Sequence, residues 1–265
     1  MERHVRAWMT AEVADGTDIA LLVAVSEAPV AQESLTVLVG GREHAVTETR
    51  DRFGNRMHLI SGLPAGQVEI VYAARGISRA PVPEAVEADA AEHLRPSRYC
   101  EVDEFNKIAE EIVGGRTGAD AVEAVARWVH GHLDYVPGAS TITDSARSTY
   151  VSRQGVCRDY AHLTATLLRA GGVPARCSSA FAPGLTPMDF HLVVEALVED
   201  GWMVVDPTHL APRASMVRIA TGQDAADTAF MTTLAGNVLL TGIQVTAIVD
   251  PELPQEDPAA RVVLR

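Results

Sequence analysis

The rhythm of hydrophobic positions changes twice along the chain. Up to about residue 80, apolar residues come in short β-rich runs: IALLVAV (19–25), SLTVLV (34–39), MHLISG (57–62) and QVEIVYAA (67–74). Gly40–Gly41, Gly54–Asn55 and Gly62–Pro64 punctuate them. Alternation is clearest at Val68, Ile70 and Tyr72, which turns one face toward a core. This spacing predicts an antiparallel sandwich or small barrel with no chemical cluster of its own. Residues 81–100 then carry Pro81, Pro83, Pro96 and an acidic run, the composition of a linker.

From residue 101 the period becomes helical. Phe105, Ile108 and Ile112 share a face, and Gly114–Gly115 ends that helix. A second helix, with Thr117 as its cap and Asp120 at the third position, aligns Val122, Val125, Val129 and Leu133. A Ser/Thr-rich loop (139–153) leads into a third helix from Cys157 to Ala170, stopped by Gly171–Gly172 and Pro174. Strands return at 175–182, 191–200 and 201–207, with Glu199–Asp200–Gly201 as the turn of a hairpin. The tail holds a loop, an acidic segment at Asp224 and Asp227, a strand at 239–249 and a Pro/Glu-rich end. The expected class is α+β: an N-terminal β module (1–80), a linker (81–100), and a core of helices packed on an antiparallel sheet (101–265).

Composition narrows the chemistry. The 265 residues suit one large domain or two modest ones. A net charge of −13 leaves no basic surplus for nucleic acid or an anionic membrane. No apolar run reaches membrane-spanning length, and the charged start lacks the apolar stretch of a leader, so a cytoplasmic protein is expected, with a homo-oligomer left open. Three cysteines are not a disulfide framework, and the odd count leaves at least one unpaired within the chain.

Of the three, Cys157 stands apart. Gly155 allows a tight entry into the helix, and Cys157 sits in the first turn, where free N–H groups and the helix dipole favour a thiolate. The ordinary fate of a lone cysteine is a buried core position. That is the expectation for Cys100 and Cys177. His191 opens one strand of the hairpin and Asp206 ends the next. With residues 191–198 paired roughly to 202–209, the imidazole and carboxylate fall within a few residues of one register. Together with Cys157 they make a nucleophile, a base and a group to orient the base. His162 lies about 140° round the helix from Cys157 and is read as structural. Trp202 is read as core. With no CxxC pair, no HExxH and no phosphate loop, no metal and no cofactor is expected.

Gly155-Val-Cys157-Arg158-Asp159-Tyr-Ala161-His162, then Asp189-Phe-His191, Gly201-Trp202 and Asp206-Pro207-Thr208, resembles the transglutaminase-like superfamily, and within it bacterial proteins with an N-terminal β module. Leu94-Arg-Pro-Ser97-Arg-Tyr99-Cys100 and Ile219-Ala-x-Gly222-x-Asp224-Ala-Ala-Asp227-x-Ala-Phe230 extend the resemblance over nearly the whole chain. Where many relatives read His-Ala-Trp-Val-Glu-Val, this chain reads His191-Leu-Val-Val-Glu195-Ala. The resemblance implies a papain-like Cys157–His191–Asp206 triad. It also implies cysteine-dependent acyl transfer on a peptide or protein amide, with hydrolysis by a peptidase or amidase as the leading form. A glutamine transglutaminase using an amine acceptor, and a catalytically silent peptide-binding module, are the alternatives. The oxyanion is expected to meet the Cys157 N–H and a second donor from Tyr150 or Gln154, with Asp159 capping the helix or fixing a nearby loop.

Overall fold

The computed structural model describes residues 1–199, 201–257 and 260–265; Asp200, in the expected hairpin turn, lies outside the described residues. The fold is α+β, an N-terminal antiparallel β module followed by helices packed on an antiparallel sheet.

Two sheets make up the β module. One is ordered Val238–Asp250, Glu2–Val13, Gly66–Ile77, Val30–Val39, Arg42–Glu43; the other runs Met231–Ala235, Thr17–Leu21, Arg56–Leu63, Thr47–Arg50. Val5, Ala7, Met9, Val68, Ile70 and Tyr72 from the first sheet share one core with Ile19, Leu21, Ile60 and Leu63 from the second. The strand Glu2–Val13 is absent from the sequence expectation. Its buried positions alternate as a strand requires, but two of them are alanines set among charges, a weak signal against the runs that follow. The division into residues 1–80, 81–100 and 101–265 stays a proposal, and strand pairing adds to it. The two strands of residues 231–250 lie in the sheets of the β module, not beside the helices.

The remaining sheet is ordered Gly201–Val205, Phe190–Val198, Ala175–Phe181, Val217–Gly222. The last of these falls in what reads as a loop. The helix Cys157–Ala170 packs on this sheet, its Ala161, Leu163, Ala165 and Leu168 meeting Leu192, Val194 and Ala196. Val193 points the other way, into a second cluster with Ala180 and Val204. Burial on both faces explains why 192–194 is continuously apolar instead of alternating. Around it stand the helices Asn106–Val113 and Gly118–His132, the latter without a capping bond from the Thr117 side chain. The expected loop 139–153 contains a further helix, Ala146–Ser152, and the linker a short one, Glu87–Glu92.

Glu195 sits in the middle of this sheet with no exposed surface. Its carboxylate accepts from both terminal nitrogens of Arg218 (2.5 and 2.7 Å), from Arg176 Nε (3.0 Å) and from Ser178 Oγ (2.7 Å). Burial opposes its charge, but the two arginines win and hold the carboxyl down to about 2. The charge is thus stable only while its partners are there. Arg218→Met is expected to lower the unfolding free energy by about 3–5 kcal/mol, read from urea midpoints. The double change with Glu195→Gln is expected to cost less than Arg218→Met alone, because it leaves no uncompensated carboxylate.

Candidate active site

The chain enters the helix Cys157–Ala170 from a parallel two-residue pairing of Asp134–Tyr135 with Gln154–Gly155. Val156 is extended, and its N–H donates to Asp159 Oδ2 at 2.8 Å. That carboxylate passes so close to Gly155 that a Cβ there would lie 2.5 Å from the Cβ of Asp159. Glycine is therefore required at 155 by space. The other oxygen of Asp159 accepts from Ser140 Oγ (3.0 Å), and Arg158 donates to the carbonyls of Thr141 and Ile142 (3.0 and 3.1 Å). Asp159 thus both closes the helix start and anchors the 140s loop beside it. Cys157, the first residue of this helix, is half-buried.

His191 is the second residue of the strand Phe190–Val198 and is buried. The hairpin register is one residue tighter than expected, with Val198 opposite Gly201 and Val194 opposite Val205. It still brings the two groups together: His191 Nε2 and Asp206 Oδ2 are 2.8 Å apart. Asp206 follows directly on the strand Gly201–Val205, and its second oxygen accepts from the N–H (3.0 Å) and hydroxyl (2.7 Å) of Thr208. The carbonyl of Pro207, between them, is held by His130 Nδ1 at 2.8 Å.

The electrostatics follow from this packing. Burial works against a charged imidazole, but the Asp206 carboxylate, its hydrogen bond and the nearby Cys157 raise His191 to about 10. Asp206 is likewise disfavoured by burial and held below the usual carboxylate range by His191 and Thr208. The ring's other nitrogen, Nδ1, has no hydrogen-bond partner.

The other expected residues have the following surroundings. Tyr150 lies in an aromatic cluster, its ring 5.6 Å from Phe105, 6.2 Å from Trp128 and 5.1 Å from His132. Gln154 is exposed on its short strand. His162 is buried, accepts the Ala225 N–H at 3.1 Å and stacks on Tyr99; burial keeps it neutral. Trp202 is a core residue under the Arg176 guanidinium, 3.8 Å from its ring centroid. Cys100 and Cys177 are fully buried, and burial pushes both thiols up. Among the described residues no group of three or more His, Cys, Asp or Glu is arranged to hold a metal ion. Two cavities of about 330 Å³ lie away from Cys157, along Arg52 and Asp227 at the border of the β module. The sequence reading missed Thr208 as the second partner of Asp206, although Asp-Pro-Thr is a turn in which a hydroxyl two residues on can return to the carboxylate.

The His191–Asp206 pair has a testable pH signature. A raised imidazole stabilises the fold fully below its unfolded value, about 6.5, and loses that contribution as pH rises through the folded value, about 10. A depressed Asp206 gives stability above the unfolded carboxyl value, about 3.9, that is lost on acidification. Asp206→Asn is expected to bring the His191 ring, followed by NMR, to or below about 6.5 and to abolish its share of the alkaline loss of stability.

Residues 106–207 match the sequence profile of the transglutaminase-like superfamily. An uncharacterized protein of Mycobacterium leprae is 31% identical over 151 residues, 52% of this chain and 53% of the relative, so the chain spans about half the length of that relative. A crystal structure from Cytophaga hutchinsonii, described as a candidate cysteine protease, superposes with a TM-score of 0.88 at 28% identity, covering 98% of this chain and 96% of that one. The periplasmic domain of TgpA from Pseudomonas aeruginosa is more distant, with a TM-score of 0.41 and 20% identity over 76% of this chain and 91% of its own. The cytoplasmic expectation is withdrawn: this match is a periplasmic domain, and the lack of a leader-like stretch assigns no compartment. No helix among the described residues is long and apolar enough to cross a membrane.

Proposed function

We propose that this chain, which has the transglutaminase-like superfamily fold with an N-terminal β module and so is of the cysteine hydrolase and acyltransferase type, hydrolyses peptide or protein amides through Cys157, His191 and Asp206. The observation that carries the reading is the buried His191–Asp206 pair, whose unpartnered Nδ1 is left beside a half-exposed cysteine at a helix start. Asp206 occupies Nε2, fixes the ring's orientation and favours its positive form, while Thr208 fixes Asp206 in turn.

The steps follow from these roles. Cys157 and His191 act as a thiolate–imidazolium pair, with the proton on His191 Nδ1, and the thiolate attacks the amide carbonyl carbon. The negative oxygen meets the Cys157 N–H at the helix start. When the intermediate collapses, the carbon–nitrogen bond breaks and the imidazolium passes its proton to the leaving amine. Water then attacks the thioester with His191 as base, releasing the acid and restoring the thiolate–imidazolium pair.

Tyr135, Val136, Ile142 and Met188 are exposed apolar side chains on the segments around this site. Val136 is bonded to Gly155, Ile142 is held by Arg158, and Met188 stands three residues before His191. Such a rim suits an extended peptide with apolar side chains. The C. hutchinsonii protein's description as a candidate protease supports the same substrate class.

Iodoacetamide is expected to label Cys157 at neutral pH at least roughly tenfold faster than Cys100 or Cys177, read by peptide mass spectrometry, and Cys157→Ala to abolish the fast phase. Incubation with Gln-containing peptides, with and without a labelled amine, is expected to give cleavage or deamidation without amine incorporation. Incorporated label would instead establish amine transfer. Equal labelling of all three thiols together with no turnover would leave a silent binding module.

A further inference from the structure

A tetrahedral intermediate is held best by two donors, and the helix start supplies only one, the Cys157 N–H. Tyr150 is committed to its aromatic cluster, and Gln154 turns to solvent. Tyr135 occupies the remaining side. Its backbone is fixed beside the helix entry: the Asp134 N–H donates to Arg153 O (2.9 Å) and the Val136 N–H to Gly155 O (3.0 Å). Tyr135 is directly paired with Gly155, two residues before Cys157. The ring leans on Tyr160, 5.9 Å between centroids, and Tyr160 is itself anchored by donating to Leu133 O at 2.7 Å. Tyr135 is 38% exposed, so it lines the open side of the site.

We infer that the phenol hydroxyl of Tyr135 is the second oxyanion donor, converging with the Cys157 N–H on the carbonyl oxygen of the bound amide. The inference rests on the acyl-transfer reading above. The pairing with Gly155 and the contact with Tyr160, three residues after Cys157, bring the ring to the helix start. Burial first, and then the Cys157 charge, push it up to about 12. It therefore keeps its proton across the range in which His191 is charged, as a donor must. An incoming carbonyl oxygen placed between the helix start and the phenol receives both donors. As the Sγ–carbon bond forms, the π pair of the carbonyl moves onto oxygen. As the intermediate collapses, the pair returns and the bond to the leaving group breaks. Tyr135 donates throughout without transferring its proton.

The test separates this role from that of the thiolate. Acylation by p-nitrophenyl acetate passes through a tetrahedral oxyanion, whereas alkylation by iodoacetamide needs the thiolate but builds no such oxyanion. Tyr135→Phe keeps the ring and its packing on Tyr160 and removes only the hydroxyl. The expected result is a nitrophenolate burst slowed about 100-fold, the usual effect of losing one oxyanion donor. The rate of Cys157 alkylation and the melting temperature should stay within about twofold and a degree or two of the unchanged protein. An unchanged burst would overturn the inference. So would an equal loss in burst and alkylation, which would place Tyr135 at the thiolate instead. If Cys157 in the unchanged protein is alkylated no faster than Cys100 and Cys177, the acyl-transfer reading itself falls, and this inference with it.

Discussion

A single buried carboxylate organises the sheet on which the site is built. Glu195 has no solvent, so its charge exists only through Arg218, Arg176 and Ser178, which come from the two strands Val217–Gly222 and Ala175–Phe181. Arg218 also donates to the carbonyl of Leu264 (3.1 Å), and Arg176 lies over Trp202 in the hairpin's second strand. The cluster therefore joins every strand of the sheet and the end of the chain. Glu195 is four residues beyond His191 on the same strand. A slip of that strand by one residue would turn Glu195 into the helix-facing apolar layer and strand a charge there. The register that sets His191 opposite the Asp206 turn is protected by this cost.

The second constraint is topological. The chain leaves the β module, builds the helices and their sheet, and then returns to complete both sheets of the module with residues 231–250. Phe181, Val217 and Ile219 from the helix-bearing sheet enter the module's core, and the Phe181 ring stacks on Tyr72 at 6.1 Å. Tyr72 in turn accepts the Val25 N–H and donates to Glu33. The module is thus part of the support for the strand before His191.

How much of this the sequence carries depends on whether a signal is local. The helix from Cys157 to Ala170 is fully legible, because its apolar face lies within it and Gly155 and the Gly171–Gly172 stop directly flank it. The hairpin is legible to within one residue because its turn is short. What is lost depends on partners far along the chain. Val217–Gly222 is a strand only because Ala175–Phe181 offers it an edge, and Glu2–Val13 only because two distant strands flank it. The candidate site divides in the same way. Cys157, His191 and Asp206 announce themselves by motif and spacing. Tyr150 and Gln154 are expected as donors because they lie near Cys157 in sequence; Tyr150 packs in an aromatic cluster and Gln154 is exposed, while Tyr135 is placed beside the helix entry by a parallel pairing that no local pattern reveals.

The arrangement leaves the imidazole little choice. Nε2 is taken by Asp206, Asp206 is taken by Thr208, and the Pro207 carbonyl between them is taken by His130, whose ring stacks on His209 at 4.4 Å. Each contact removes a way for the ring to turn, so the free nitrogen has one direction open. Holding a charged pair in a buried place is unfavourable unless every lone pair is met. Here both oxygens of the carboxylate are met, and the one unsatisfied atom of the ring is the nitrogen a thiol would use. In a purely structural ion pair such an atom would be a defect. In the acyl-transfer reading proposed above, it is the atom that exchanges a proton with Cys157.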